Sequence, residues 1–245
     1  MRYLIGIDDT DNLDTPGTGR AARDLADVLT AQLLTEIEGV TRHQLLVDPR
    51  IRYTSHNSAA CLSLVAQPDR LDALIETCRR FLATASAPGS DAGLCVAEWS
   101  QVSEAVQHFG DRAKRDILTQ AEAQAVAHGE VLTLEGLTGD HGGIIGALAA
   151  VGLRAAGNDG RFLWLSGLRE LSGIYTAAEL RRVTPISSIQ TIAGVDVPPT
   201  DRIAVGNWVR PLLKQGRAVL LVEHEEQADC EWRVVAKDMV KQFSN

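Results

Sequence analysis

The sequence predicts an α+β fold, with the β-α-β-β-α-β order of the split βαβ, or ferredoxin-like, arrangement over about residues 1–100. Three observations predict it. Apolar runs of strand length occur at 3–7, 43–47, 59–66 and 94–97. Two segments between them carry apolar residues at helical spacing. Turn formers such as Asp48-Pro49 and Pro88-Gly89-Ser90-Asp91 punctuate the series.

The first run (Tyr3, Leu4, Ile5, Ile7) reads as a buried strand that ends at Asp8. A polar loop from Asp11 to Gly17 follows, with Pro16 and Gly17 as turn formers. Ala21, Leu25, Val28, Leu29 and Leu33 predict a helix over 18–34. Strands are expected at 43–47 and 59–66. Pro68 then opens a second helix with inner face Leu71, Leu74, Ile75, Cys78 and Leu82, before a strand at 94–97. In the second half, Thr119-x-x-Glu122 is a capping box for a helix that ends near Gly129. Residues 144–150 are apolar on all sides and predict a buried helix, and short strands are expected at 162–165 and 218–222. The break around His108-Phe109-Gly110 divides the chain into expected domains 1–110 and 111–245.

Composition narrows the function classes. The chain is 45% hydrophobic and 23% charged, ordinary for globular domains, and only 4% aromatic, so Ala, Leu, Val and Ile must build its core. No apolar run approaches the roughly 18 residues of a membrane span. Asp8 interrupts what would otherwise resemble a signal peptide, so a cytoplasmic protein without a membrane partner is expected. Cys61, Cys78, Cys95 and Cys230 form no CxxC pair, which argues against a zinc ribbon and reads as buried or semi-buried thiols. A net charge of −8 argues against a chain that works mainly by gripping a phosphate backbone. Arg79, Arg80, Arg181 and Arg182 form either a local basic patch or solvated helix faces.

Three constellations carry candidate chemistry. Asp8-Asp9-Thr10-Asp11 places three carboxylates within four residues beyond a strand, where they repel one another unless solvated or neutralised. Mg²⁺ takes one or two carboxylates plus substrate phosphates and suits such a loop; a solvated acidic turn is the alternative. Gly17-Thr18-Gly19 opens the next helix, whose N-terminal N–H groups and dipole favour a phosphate; Thr18 either contacts that phosphate or caps the helix. Acids and anion-binding turn together suit a Mg-phosphate ligand, with Asp8, Asp9 and Asp11 on the metal and Thr10, Gly17 and Gly19 at the nucleotide. Tyr53-Thr54-Ser55-His56-Asn57-Ser58 joins the two middle strands, as a binding cluster or as an ordinary polar hairpin loop. Gly139-Asp140-His141-Gly142-Gly143 precedes the buried helix, as an anion-binding turn or as a tight turn capped by Asp140.

Two competing chemistries use the same N-terminal residues. Gly17-x-Gly19-x-x-Ala22 formally matches a dinucleotide fingerprint, with Glu38 downstream, but the acidic loop separates it from its strand and would repel a pyrophosphate without a metal. Asp9-x-Asp11 matches an aspartyl nucleophile, which needs a parallel sheet that the element order does not suggest.

At these residues the sequence resembles the archaeal tRNA(Ile) 2-agmatinylcytidine synthetase family. Gly6-Ile7-Asp8-Asp9-Thr10-Asp11 with Thr18 resembles its opening, and residues 53–60 are similar to its T-R-G-N-A-A stretch. Residues 88–93 are similar to its N-x-N-P-G loop, and 139–150 to its G-N-G-R-G-[LI]-I-G-A-L-A-A motif. Weaker similarity runs through Arg210-Pro211-Leu212 to about Val222. The resemblance implies a kinase-like ATP-binding domain joined to a ferredoxin-like domain. In that family ATP phosphorylates the C2 oxygen of a wobble cytidine and agmatine displaces the phosphate. Its autophosphorylated threonine maps to Thr18 and its acidic metal site to Asp8, Asp9 and Asp11. Gly142 stands where the family has an arginine, and Ser55 or His56 stands where it has another. The chain ends where the family continues into an OB-fold and a zinc ribbon.

The expected function is therefore ATP-dependent phosphoryl transfer, kinase- or ligase-like, on an RNA base or a small molecule. Asp8, Asp9 and Thr18 would be catalytic and Asp8, Asp9 and Asp11 would hold Mg²⁺. Thr10, Gly17, Gly19, His56, Asn57, Gly139, Asp140, His141, Gly142 and Gly143 would line the nucleotide. The alternative is a non-catalytic nucleotide-binding or regulatory module. A third reading has a separate subunit supply RNA binding.

Overall fold

A computed structural model of the chain describes residues 1–32, 34–52, 56–226 and 229–244. It divides into two compact units, Met1–Ala156 and Gly157–Asn245. Leu33, Tyr53, Thr54 and Ser55, named above, lie outside the described residues.

In the first unit the elements run β1 (Arg2–Asp8), α1 (Thr18–Ala31), β2 (Glu36–Gln44), β3 (Ser58–Val65), α2 (Leu71–Ala85) and β4 (Gly93–Glu98). They continue with α3 (Glu104–Ala113), α4 (Gln120–His128), β5 (Leu132–Gly136) and α5 (Ile144–Ala156). The strands form an antiparallel sheet in the order β5-β4-β1-β3-β2. The first four strands and two helices thus keep the β-α-β-β-α-β order that the sequence predicts. Pro68 begins a short 3₁₀ turn, Pro68–Arg70, that leads into α2.

One strand departs from its expected place. The apolar residues 43–47 mark the exit from β2 and not its centre: Leu45 N–H still bonds Asn57 O at 2.8 Å, but Leu46 N–H turns to Ala113 O at 2.9 Å. Most of β2 lies earlier, where a register shift between Ile37 and Gly39 breaks the alternation that would have revealed it.

Alternation in β1 decides which side of the sheet each residue serves. Tyr3, Ile5 and Ile7 point to the face covered by α1 and α2. Leu4, Gly6 and Asp8 point to the opposite face, where α5 lies. Helix α5 is buried at Ile144 and from Gly146 through Arg154, as its apolar circumference predicts. It approaches very closely: a Cβ on Gly6 would overlap the Ala147 carbonyl, and one on Gly146 would overlap the Asp8 carboxylate. Only glycine permits that spacing.

This packing moves the expected domain boundary. Residues 111–156 belong to the first unit and not the second. The second face of the sheet needs an apolar cover, and α5, with α3 and Phe109 beside it, supplies one. Thr119 and Glu122 make the expected capping box, with Thr119 N–H to Glu122 Oε2 at 2.9 Å.

In the second unit β6 (Arg161–Trp164), β7 (Gly173–Thr176), α6 (Ala177–Val183), β8 (Ser188–Thr191) and β9 (Arg202–Val205) precede β10 (Leu212–Lys214), β11 (Arg217–His224), β12 (Trp232–Val234) and α7 (Lys237–Phe243). The strand order is β6-β10-β11-β12-β9-β7, with β8 parallel to β11. Phe162, Ile189, Ile203, Leu220 and Val222 sit in its core. The α+β class holds here too, but the element order is not the β-α-β-β-α-β expected of a second ferredoxin-like domain. Strands β7 to β10 and β12 are three or four residues long, too short to carry a periodic signal. No helix of the described residues is long and apolar enough to cross a membrane.

Candidate active site

Asp8 is the last residue of β1, and the chain leaves the sheet through Asp9, whose φ of +51° lies in the left-handed region. Aspartate tolerates that region better than most residues, and the turn reverses the chain toward α1. Gly17 stands at the cap position of α1 without a side chain to offer. Asp11 caps the helix in its place, with Oδ1 accepting from Thr18 N at 3.2 Å and from Thr18 Oγ1 at 2.9 Å. Thr18 is therefore the first residue of the helix and not its cap, and it is buried. Thr10 turns inward as well, its Oγ1 lying 3.2 Å from Thr18 Oγ1.

These elements surround a cavity of about 270 Å³ within the first unit. One wall carries Asp8, Asp9, Asp11 and Asp91 with Thr18; another carries Leu45, Ile51, Ala113, Ile117, Leu118 and Ile145. Of the nucleotide-lining residues expected from sequence, His56, Asn57, Gly142 and Gly143 reach it. Thr10, Gly17, Gly19, Gly139, Asp140 and His141 lie outside its lining. Their places have physical reasons. Thr10 packs on Thr18. Asp140 N–H is committed to Asp91 Oδ1 at 2.8 Å, and His141 lies against Gly136. Asn57 reaches the cavity, but its side-chain amide donates to Leu46 O at 2.7 Å and so also secures the exit of β2.

Asp91 is a site residue that the sequence pattern leaves inside a turn. It is buried and joins three segments. Its Oδ1 accepts from Asp140 N–H and its carbonyl from Gly143 N–H at 2.8 Å. Its own N–H donates to the Asp9 carboxylate, and its Oδ2 lies 3.5 Å from Arg52 Nη1. Arg50, Arg52 and Asp116 likewise line the cavity without any sequence signal to single them out. No local pattern marks them, because they come from loops distant in sequence. A Pro-Gly-Ser-Asp stretch signals a turn whether or not its last residue serves a site.

The electrostatics follow from crowding. Burial pushes the Asp8 carboxyl up to about 7, with the Asp9 and Asp11 charges adding to it and the Asp9 N–H opposing it. Burial likewise pushes Asp9 up to about 6; Asp91 and Asp11 add, while Arg52 and the Asp91 N–H oppose. Two neighbouring carboxyls held above their ordinary range are a site with surplus negative charge. Among the described residues no three His, Cys, Asp or Glu side chains converge as a metal-binding group. A closed cage of Asp8, Asp9 and Asp11 is thus not formed. The donor set still suits Mg²⁺, which keeps waters and takes its other oxygens from a phosphate.

The remaining candidates resolve simply. All four cysteines are buried, and burial pushes the Cys61 and Cys78 thiols up to about 12, so they are not thiolates. Arg79 is bidentate on Glu135, at 2.7 and 2.5 Å, and is not a phosphate-facing group of a basic patch.

No family model matches the chain, and no curated protein matches it. Solved structures do. The chain is similar to a tRNA fluorescent labeling enzyme at 24% identity and TM-score 0.55, over 62% of this chain and 36% of that one. It is similar to apo TiaS, a tRNA agmatidine synthetase, at 23% identity and TM-score 0.52, over 62% of this chain and 35% of that one. It is also similar to TiaS in complex with its tRNA and ATP, at 23% identity and TM-score 0.54, over 62% and 36%. The likeness shows a TiaS-like fold, and the chain spans about a third of the length of those structures.

Proposed function

We propose that the chain binds ATP with Mg²⁺ in the first-unit cavity and transfers a phosphoryl group to an RNA base or a small-molecule acceptor. One observation carries the reading: Asp8, Asp9, Asp11 and Thr18 line one cavity with His56, Asn57, Gly142 and Gly143. With Asp91 also in the lining, all four segments that resemble the synthetase family contribute to one cavity. The fold likeness supports it, since one of the similar structures is a complex with ATP.

Asp8, Asp9 and Asp11 would supply one or two ligands to Mg²⁺, whose charge on the phosphates favours phosphoryl transfer when it is bound. The Gly142–Gly143 backbone at the start of α5 would approach the phosphates, since a helix N-terminus favours negative charge. The apolar wall would hold a flat base away from water. Thr18, hydrogen-bonded to Asp11 Oδ1 at 2.9 Å, is the hydroxyl poised to contact or accept a phosphoryl group. A tRNA belongs to this proposal only as one acceptor class, with RNA binding from a separate subunit as one route.

Calorimetric titration of Mg·ATP into wild type and Asp9→Ala tests the binding step. The expected result is a loss of affinity in the variant; equal affinity removes the metal role from Asp9. Incubation with γ-labelled ATP, followed by mapping of label on Thr18, tests transfer. A second reading, a non-catalytic nucleotide-binding module, is favoured by the engagement of the Thr18 hydroxyl with Asp11 and Thr10 in a buried position. Turnover or labelled Thr18 excludes it.

A further inference from the structure

The cavity has an unbalanced wall. Asp8, Asp9, Asp11 and Asp91 line it, whereas its cationic lining side chains among the described residues are Arg50 and Arg52. The two arginines are held very differently. Arg50 has its fork filled by Asp48, with Nε to Oδ1 and Nη2 to Oδ2 both at 2.8 Å, and its own N–H bonds Asp48 Oδ1 at 2.9 Å. That ring closes the 48–51 turn, which Ile51 N–H to Asp48 O reinforces at 2.9 Å. Arg52 projects from the end of this rigid turn. Its contacts are long: Nη1 to Asp91 Oδ2 at 3.5 Å and Nη2 to Gly89 O at 3.3 Å. Its side chain is 73% exposed. Such distances mark weak hydrogen bonds.

We propose that Arg52 is the phosphate-binding cation of this site, giving up the Gly89 carbonyl for the terminal phosphate of an entering Mg-polyphosphate. The inference rests on the nucleotide reading above and adds a residue to it. A planar guanidinium matches two phosphate oxygens, and the exchange replaces a long neutral acceptor with a charged one. Asp91 stays in place without Arg52 because Asp140 N–H holds its other oxygen at 2.8 Å. Of the two lining arginines, Arg50 has its fork taken up by Asp48, which leaves Arg52 as the cation of the wall able to turn to a phosphate.

The test compares Arg52→Gln, Arg52→Lys and Arg80→Gln by calorimetric titration with Mg·ATP, Mg·AMP and Mg·tripolyphosphate. Arg52→Gln is expected to weaken Mg·ATP and Mg·tripolyphosphate by about 10- to 100-fold and Mg·AMP far less. Arg52→Lys should recover part of the loss, and Arg80→Gln, an exposed α2 residue outside the cavity lining, should bind as wild type. A merely structural Arg52 would instead shift the melting temperature and weaken all three ligands alike. Wild-type binding of Mg·ATP with equal affinity in Arg52→Gln overturns the assignment and leaves the nucleotide reading standing. A wild type that binds none of the three overturns both.

Discussion

Replacing Asp8 with asparagine should make the metal-free protein more stable at neutral and alkaline pH. Asp8 has its pKa raised from 3.8 to about 7, chiefly by burial. The folded state therefore holds a proton that the unfolded state has released. Stability from this group is fully present below pH 4 and is lost as pH rises through 7. At about 1.4 kcal/mol per tenfold, the whole shift corresponds to about 4 kcal/mol, of which about 3 kcal/mol falls between pH 5 and 8. Two features reduce it. Asp8 is only partly buried where it faces the cavity, and Gly146 in the first turn of α5 lies against its carboxylate, so the helix N-terminus favours the charge. About 1–3 kcal/mol is the expected observable. Urea unfolding in chelator at pH 5, 6, 7 and 8 would measure it for wild type and Asp8→Asn. Wild type should lose that amount relative to the variant, and Mg²⁺ should restore wild type alone. Parallel stability curves for the two proteins across this range would refute the reasoning.

The other predictions concern the same wall. Gly146→Ala would stabilise an ordinary helix by up to about 1 kcal/mol; here its Cβ meets the Asp8 carboxylate, so urea unfolding should show a loss of about 1–3 kcal/mol instead. Asp91→Ala removes the acceptor of Asp140 N–H and should cost about 1–3 kcal/mol, with Asp91→Asn recovering part of it in the same assay. Thr18→Val deletes the buried hydroxyl between Thr10 and Asp11 and should lower the thermal midpoint, with Thr18→Ser nearer to wild type.

The first unit was legible where its signals were local. The Asp8–Asp11 loop, the start of α1 at Thr18, the capping box at Thr119 and the apolar circumference of α5 can each be read within a dozen residues. The start of β2 was hidden by its register shift, and the second unit by strands of three or four residues. The site divides along the same line. Its acids were visible as a cluster, but of the turn from Gly139 to Gly143 the cavity lining includes Gly142 and Gly143 alone.

The chain's own order of residues determined an acidic strand end, a glycine-opened helix and an apolar helix with no polar side. Tertiary structure alone decided what gathers around them. Pairing of β4 with β1 brings the 87–91 loop beside the acids, where Ala87 N–H bonds Thr10 O at 2.9 Å and Asp91 enters the wall. Burial of α5 on the far face of the sheet brings its N-terminus to Asp8 and carries the unit past residue 110. Periodicity and capping act over a few residues, whereas a cavity is closed by segments that meet only after the sheet has chosen its strand order.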